Sequence, residues 1–360
     1  MTSRLRLRLM LLVAGAGALM TGVPCSALTS PDGGGDGTAT TAASVRAMSL
    51  LEDAAWALHA RAWSGTQHVV SVRDGQPSFT VLQLQHTPGA GSAVRVLSSD
   101  ANSGGAVAPD ALDARLLRLL GNHYDLRVAG TATCAGRPSF VVEARRPGQT
   151  GAGAVAGRFW VDTVTHLVLR REVLDETGSV IRTSAFVALH LDAPRSGLIA
   201  AAVEQPLEPV RPTGRRLDDD ALRALEADGW PVVHVLPSGL ELFESRLHER
   251  DGGEVLQLSY SDGLSTLSLF VQQGELATEP AGTAHAVGGG TVWMSRGTPE
   301  RVVWSGEGRT WTLMSDAPAQ AVADAVLVLP HTQTPIAGDS VGSRAWRGMS
   351  RVGAWLNPFA

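Results

Sequence analysis

The sequence predicts an α+β protein: a large antiparallel sheet curved around helices, followed by a smaller α+β unit with its own antiparallel sheet. Three observations carry this. Apolar residues recur at three- and four-residue spacing in a few segments only and elsewhere alternate with the period of a strand. The 40 glycines and 19 prolines among 360 residues supply many turns and exclude a helical bundle. The strand series breaks over residues 193–214, where Pro194, Pro206, Pro209 and Pro212 crowd together and mark a linker.

Residues 1–27 read as an export signal. Arg4, Arg6 and Arg8 precede an apolar run over 9–20, and Gly22, Pro24, Ser26 and Ala27 form a small-residue zone with the cut expected after Ala27. The run is shorter than the roughly 20 residues that span a bilayer. Retention as an anchor and lipidation at Cys25 stay open as alternatives. Residues 28–43 are Gly, Thr, Ser, Pro and Ala with little else and read as a flexible leader.

The first domain is expected over 44–192. Ala47, Leu51, Ala54, Ala55, Leu58 and Ala62 recur at three- and four-residue spacing and predict a helix that Gly65 is expected to end. Strands follow over 66–72 and 79–84 around Asp74-Gly75, then over 93–97. A helix over 110–120 carries Leu112, Leu116, Leu119 and Leu120. Strands return over 124–129, 139–143, 158–162, 167–174 and 180–191, the last two joined at Thr177-Gly178. The second domain, 215–330, opens with a helix over 218–227, where Asp218, Asp219 and Asp220 suit the positive end of the helix dipole. Strands over 241–247, 255–260, 265–272, 292–295, 301–304 and 310–314 and a helix over 319–328 complete it.

The tail, 331–360, carries a basic amphipathic helix. Ala345, Met349, Val352, Leu356 and Phe359 share one face, Arg344, Arg347 and Arg351 line its neighbour, and Trp355 sits on the border. Such a helix lies on an anionic membrane surface, docks into a partner, or packs on its own domain.

The chemistry is mostly exclusion. All 30 basic residues are arginine, so mechanisms built on a Schiff-base or phosphate-loop lysine are absent. A net charge of −5 without a basic block speaks against nucleic acid. The ten histidines form no metal-binding pair, and no G-x-S-x-G elbow occurs. Gly151, Gly153 and Gly157 precede a strand, where a dinucleotide loop needs a helix N-terminus. Two cysteines build no Cys-based metal site, and Cys134 reads as an inert thiol. The expectation is a non-enzymatic protein without cofactor or metal. Phe159, Val161, Leu167, Leu169 and Phe186 are candidates to line an apolar ligand cavity in a curved sheet, with plain core packing as the alternative.

Several runs resemble the RseB/MucB family of bacterial sigma-factor regulators. In the first domain these are Tyr124-Asp125-Leu126-Arg127-Val128-Ala129-Gly130, Phe159-Trp160-Val161-Asp162, Leu167-Val168-Leu169 and Asp175-Glu176-Thr177-Gly178. Lipoprotein carriers of the LolA type show a similar series. The second domain discriminates, because Leu258-Ser259-Tyr260-Ser261-Asp262-Gly263-Leu264-Ser265 and Ser268-Leu269-Phe270-Val271 are similar to the family's C-terminal signature. Pro237-Ser238-Gly239 and the 312–328 stretch sit in family order. The resemblance implies a LolA-like half-open barrel joined to a smaller α+β domain. It also implies a periplasmic, non-catalytic role: binding the extracytoplasmic segment of a membrane anti-sigma factor, shielding it from a protease, and responding to a lipid in the barrel. Tyr260, Ser261, Asp262, Gly263, Leu264 and Phe270 become candidates for partner contact. A lipid carrier of the LolA type is the alternative. Two features depart from the family: an Ala/Gly loop replaces the Arg, Tyr and Gly run before the tryptophan strand, and the amphipathic tail is an addition.

Overall fold

The computed structural model describes residue 25 and residues 37–73, 75–99, 112–148, 153–191, 208–209, 213–250, 253–295 and 299–331. Among these residues the chain forms two antiparallel sheets. Helix α1 (Gly37–Ala60) leads into β1 (Trp63–Arg73), β2 (Gln76–Thr87) and β3 (Gly91–Ser99). After α2 (Ala114–His123) come β4 (Asp125–Cys134), β5 (Arg137–Arg145), β6 (Val155–Asp162), β7 (Val168–Leu174), β8 (Val180–Leu191) and the two-residue β9 (Glu208–Pro209). The sheet order is β4-β5-β6-β7-β8-β1-β2-β3-β9, every pair is antiparallel, and β4 and β9 lie at the two ends of the order. This is the half-open sheet wrapped on helices that the sequence predicts.

Helix α1 begins inside the stretch expected to be a leader. Residues 38–43 are threonine and alanine, without the glycine or proline that would break a helix, so the helix extends back to Gly37. The helix ends at Ala60, and the Trp63 indole donates to the Leu58 carbonyl at 3.0 Å. Gly65 is therefore a strand residue and not the helix stop. A Cβ there would stand 2.5 Å from the Ala188 carbonyl oxygen and 2.9 Å from the Phe186 ring, so the close approach of β8 requires glycine. Helix α2 starts where the Asp113 carboxylate accepts from the N–H groups of Arg115 and Leu116, both at 2.8 Å. Its Leu117 and Leu120 join Ala47, Leu51 and Ala54 of α1 over Val142, Ala144, Phe159 and Val161 of the sheet.

The second sheet collects β10 (Arg215–Arg216), β11 (Val235–Leu236), β12 (Leu240–Arg250), β13 (Gly253–Ser261) and β14 (Thr266–Gln273). It is completed by β15 (Thr283–Val287), β16 (Gly290–Ser295), β17 (Glu300–Gly306) and β18 (Arg309–Ser315). The order is β10-β12-β13-β14-β18-β17-β16-β15, with β11 paired to β12. Helices α3 (Asp219–Ala227) and α4 (Ala319–Val328) accompany it, and α3 is capped by Asp218 as expected. The edge strand β15 alternates only with the small residues Ala284 and Ala286, is exposed along almost its whole length, and escapes sequence reading. Trp304 and Trp311 stack at the centre of the core, ring centroids 5.9 Å apart. Both buried indole N–H groups are satisfied, by the carbonyls of Pro330 and Gly306.

Candidate functional site

The residues that sequence pattern marked most strongly meet where the two sheets join. The turn between β13 and β14 is built by two side chains. The Asp262 carboxylate accepts from the N–H groups of Leu264 at 2.8 Å and Ser265 at 2.7 Å, while the Ser261 hydroxyl accepts from the Gly263 N–H at 2.9 Å and donates to the Ser265 carbonyl. Gly263 has φ +92°, and a Cβ there would lie 2.3 Å from the Leu120 nitrogen of α2. Glycine is thus required both by the backbone conformation and by the approach of the other domain.

The turn enters the first domain as a plug. Leu264 is 1% exposed and belongs to the apolar cluster formed by α1, α2 and the first sheet. A Cβ on Gly157 would stand 2.6 Å from a Leu264 methyl, so that glycine makes room for it. The Arg171 guanidinium donates to the Leu264 carbonyl. The Tyr124 hydroxyl donates to Asp262 at 2.5 Å. Burial first, then the Asp262 charge and this bond, push the Tyr124 phenol far above its ordinary value and keep it a donor.

Further bonds ring the plug. Arg73 pairs with Glu300 at 3.1 Å and donates to the Ser315 carbonyl, and Arg182 pairs with Asp316, which also accepts from the Thr266 N–H at 2.6 Å. On the far side His123 meets Glu241 at 3.0 Å, and Arg115 donates to the Phe243 carbonyl at 3.1 Å. A cavity of about 340 Å³ remains at the junction, with Arg73, Tyr124, Asp262, Leu264, Glu300 and Asp316 in its wall.

The six residues expected as a partner surface are thus placed inside. Ser261, Asp262, Gly263 and Leu264 form the plug. Tyr260 is fully buried in the second core, and Phe270 points to the other face of that sheet, 6% exposed beside His248. The five apolar candidates do not share one lining. Phe159 and Val161 face α1 and α2, while Leu167 and Phe186 pack with Trp63 and Leu82. Leu169 lies on the opposite face with Cys134 and Trp160, because the β6–β7 register shifts between Trp160 and Val161 and leaves Leu169 as the extra residue. Arg344, Arg347, Arg351, Val352, Trp355, Leu356 and Phe359 lie outside the described residues. Cys134 is not the free thiol expected: it is bonded to Cys25.

Two further motif aspartates are turn builders. Asp162 accepts from the N–H groups of Val164 and Thr165 and pairs with Arg137. Burial raises its carboxyl, but the Arg137 and backbone hydrogen bonds outweigh that and hold it below its usual range. Asp175 does the same work in its exposed turn through Thr177 and Ser179. Sequence reading missed a ladder on the outer face of the first sheet, where the cross-strand neighbours Arg127, Glu143, Arg158 and Glu172 alternate in sign over β4 to β7. Burial raises Glu143, but hydrogen bonds from Arg127, Arg158 and Arg145 lower it further. Those charges at alternate strand positions were the available signal. Among the described residues no cluster of three metal-ligating side chains occurs.

The family model described as the MucB/RseB N-terminal domain matches residues 57–211. No curated protein matches the chain. Among solved structures, the MucA/MucB complex of Pseudomonas aeruginosa is 21% identical over 80% of this chain and 99% of that one, with a TM-score of 0.43. A structure of MucB alone is 19% identical over 79% and 98%, with a TM-score of 0.45. A LolA superfamily protein from Nitrosomonas europaea is 9% identical over 41% and 91%, with a TM-score of 0.19. The matched span runs from the last turn of α1 through β9, which is the first sheet of the fold, so over that span the chain is similar to the MucB/RseB N-terminal domain.

Proposed function

We propose that this protein is an exported, non-catalytic regulator that binds the extracytoplasmic segment of a membrane anti-sigma factor on the periplasmic side. Binding shields that segment from proteolysis and so restrains an envelope-stress sigma factor. The observation that carries the reading is the MucB/RseB-like domain over 57–211 packed against a second sheet domain through the 261–265 plug. MucB, to which the chain is similar, has been solved together with MucA. With the plug residues buried, the partner is expected to meet the outer surfaces of the two domains, and the tail over 341–360 to add membrane or partner contact.

A lipid response fits the junction better than the middle of the first sheet. There α1, α2 and Leu264 fill the apolar space, whereas the cavity of about 340 Å³ borders the plug. A lipid that wedges this junction open would release the partner only by its differential affinity for the open form. The same packing disfavours the carrier reading, since a carrier needs an empty barrel and no second domain. The test is a binding titration of the full chain with the extracytoplasmic segment of a membrane anti-sigma factor from the same organism. Saturable binding with protection from the protease is expected. Absence of binding, together with about one co-purified lipid per chain, overturns the reading in favour of the carrier.

A further inference from the structure

Cys25 lies within the segment expected to be removed on export, yet the structure uses it. It forms an antiparallel bridge with Cys134, the last residue of β4, and the two are joined as a disulfide with Cα atoms 4.3 Å apart. Cys134 is fully buried. Around the pair stand Ala132, Val141, Trp160, Leu169 and Ala185, on the face of the sheet opposite α1 and α2, and Arg170 reaches to 4.0 Å from the Cys25 sulfur. The bond spans 109 residues of chain and ties Cys25 to the outer face of the first sheet.

We propose that the mature exported protein retains Cys25 and that its sulfur is committed to Cys134. Export processing then cuts, where it cuts at all, on the N-terminal side of residue 25 and not after Ala27. The same commitment excludes lipidation, because one sulfur cannot be both a thioether to a diacylglycerol and half of a disulfide. The inference rests on the exported reading, since such bonds persist in oxidising compartments. Its chemistry balances by thiol–disulfide exchange with an oxidised dithiol protein of the envelope. One cysteine thiolate attacks the donor disulfide and gives a mixed disulfide. The other thiolate then displaces the donor. Two protons leave the cysteines, and their two electrons reduce the donor to a dithiol.

The test is the full chain with its own export segment, produced in a bacterium with an oxidising envelope and recovered from the envelope fraction. Alkylation of the denatured protein without reductant should label no cysteine, and alkylation after reduction should label two. Non-reducing peptide mapping should show the Cys25 and Cys134 peptides linked, in a polypeptide whose first residue is at or before Cys25. In Cys134→Ser, the Cys25 thiol should become alkylatable without reductant. The mapping needs only the wild-type chain, so misfolding of the variant leaves the test intact. A mature chain beginning after residue 25, a lipid mass on Cys25, or a Cys134 thiol that labels without reduction overturns the inference. The regulator reading fails separately, if the linked protein does not bind the anti-sigma segment. A chain found only in the cytosol with both thiols reduced overturns both.

Discussion

Two buried aspartates, Asp162 and Asp262, build nearly the same turn and do different things. Each accepts from the N–H groups two and three residues ahead. Asp162 then pairs with Arg137 inside its own sheet, while Asp262 takes the hydroxyl of Tyr124 from the other domain. The turn after Asp162 closes a hairpin. The turn after Asp262 carries Leu264 into a neighbouring core. One local motif therefore serves either to end a strand or to join two domains, and the side chain that follows decides which.

The largest effect should separate these roles at once. Asp162→Ala strands Arg137 and two turn N–H groups, and is expected to destabilise the first domain by about 4 kcal/mol, measured by denaturant unfolding. Hydrogen exchange should accelerate in β5, β6 and β7 before it does in β12 to β14. Acid reaches the same bonds. Asp162 and Glu143 have carboxyls held below their ordinary values in the fold, so their stabilisation is fully present above the unfolded values, about 3.9 and 4.3. It is lost as pH falls through the lower folded values. The first sheet should therefore loosen first below about pH 4, seen as earlier exchange in β5 and β6.

Leu264→Ala leaves a cavity in the first domain's core from the second domain's side, at about 3 kcal/mol. Its signature differs from that of Asp162→Ala: a single unfolding transition should split into two as the domains uncouple. A split caused by Asp162→Ala and not by Leu264→Ala would break the comparison. Tyr124→Phe removes one charge-assisted bond while Asp262 keeps its two turn N–H groups, so a loss of about 1.5–2 kcal/mol with smaller splitting is expected. Least affected should be His123→Ala, whose partner Glu241 is well exposed. A change below about 1 kcal/mol would mark that pair as peripheral to the plug.

Much of this was legible in the residues. The helix faces over Ala47–Leu51–Ala54 and Leu116–Leu120 and the capping Asp218 act through short-range periodicity or local hydrogen bonds, which a sequence displays directly. The Ser261-Asp262-Gly263-Leu264 run was legible as a motif, but not as a plug. Nothing within the run says that Leu120 lies 2.3 Å from the place of a Gly263 Cβ, because α2 is more than a hundred residues away in the chain. The face of Leu169 was misread for a related reason: one bulge reverses strand parity, and alternation alone does not reveal it.

By itself, the sequence determined most of the longer strands and helices, the α+β class with two antiparallel sheets and the family-like signature, because these follow from local periods, turn chemistry and residue types. Tertiary structure alone decided that the signature faces inward and that Leu264 completes a core it does not belong to in sequence. It also decided that Cys25 meets Cys134. All three are contacts between segments far apart along the chain, set by how the sheets curve and pack, and no local pattern encodes them.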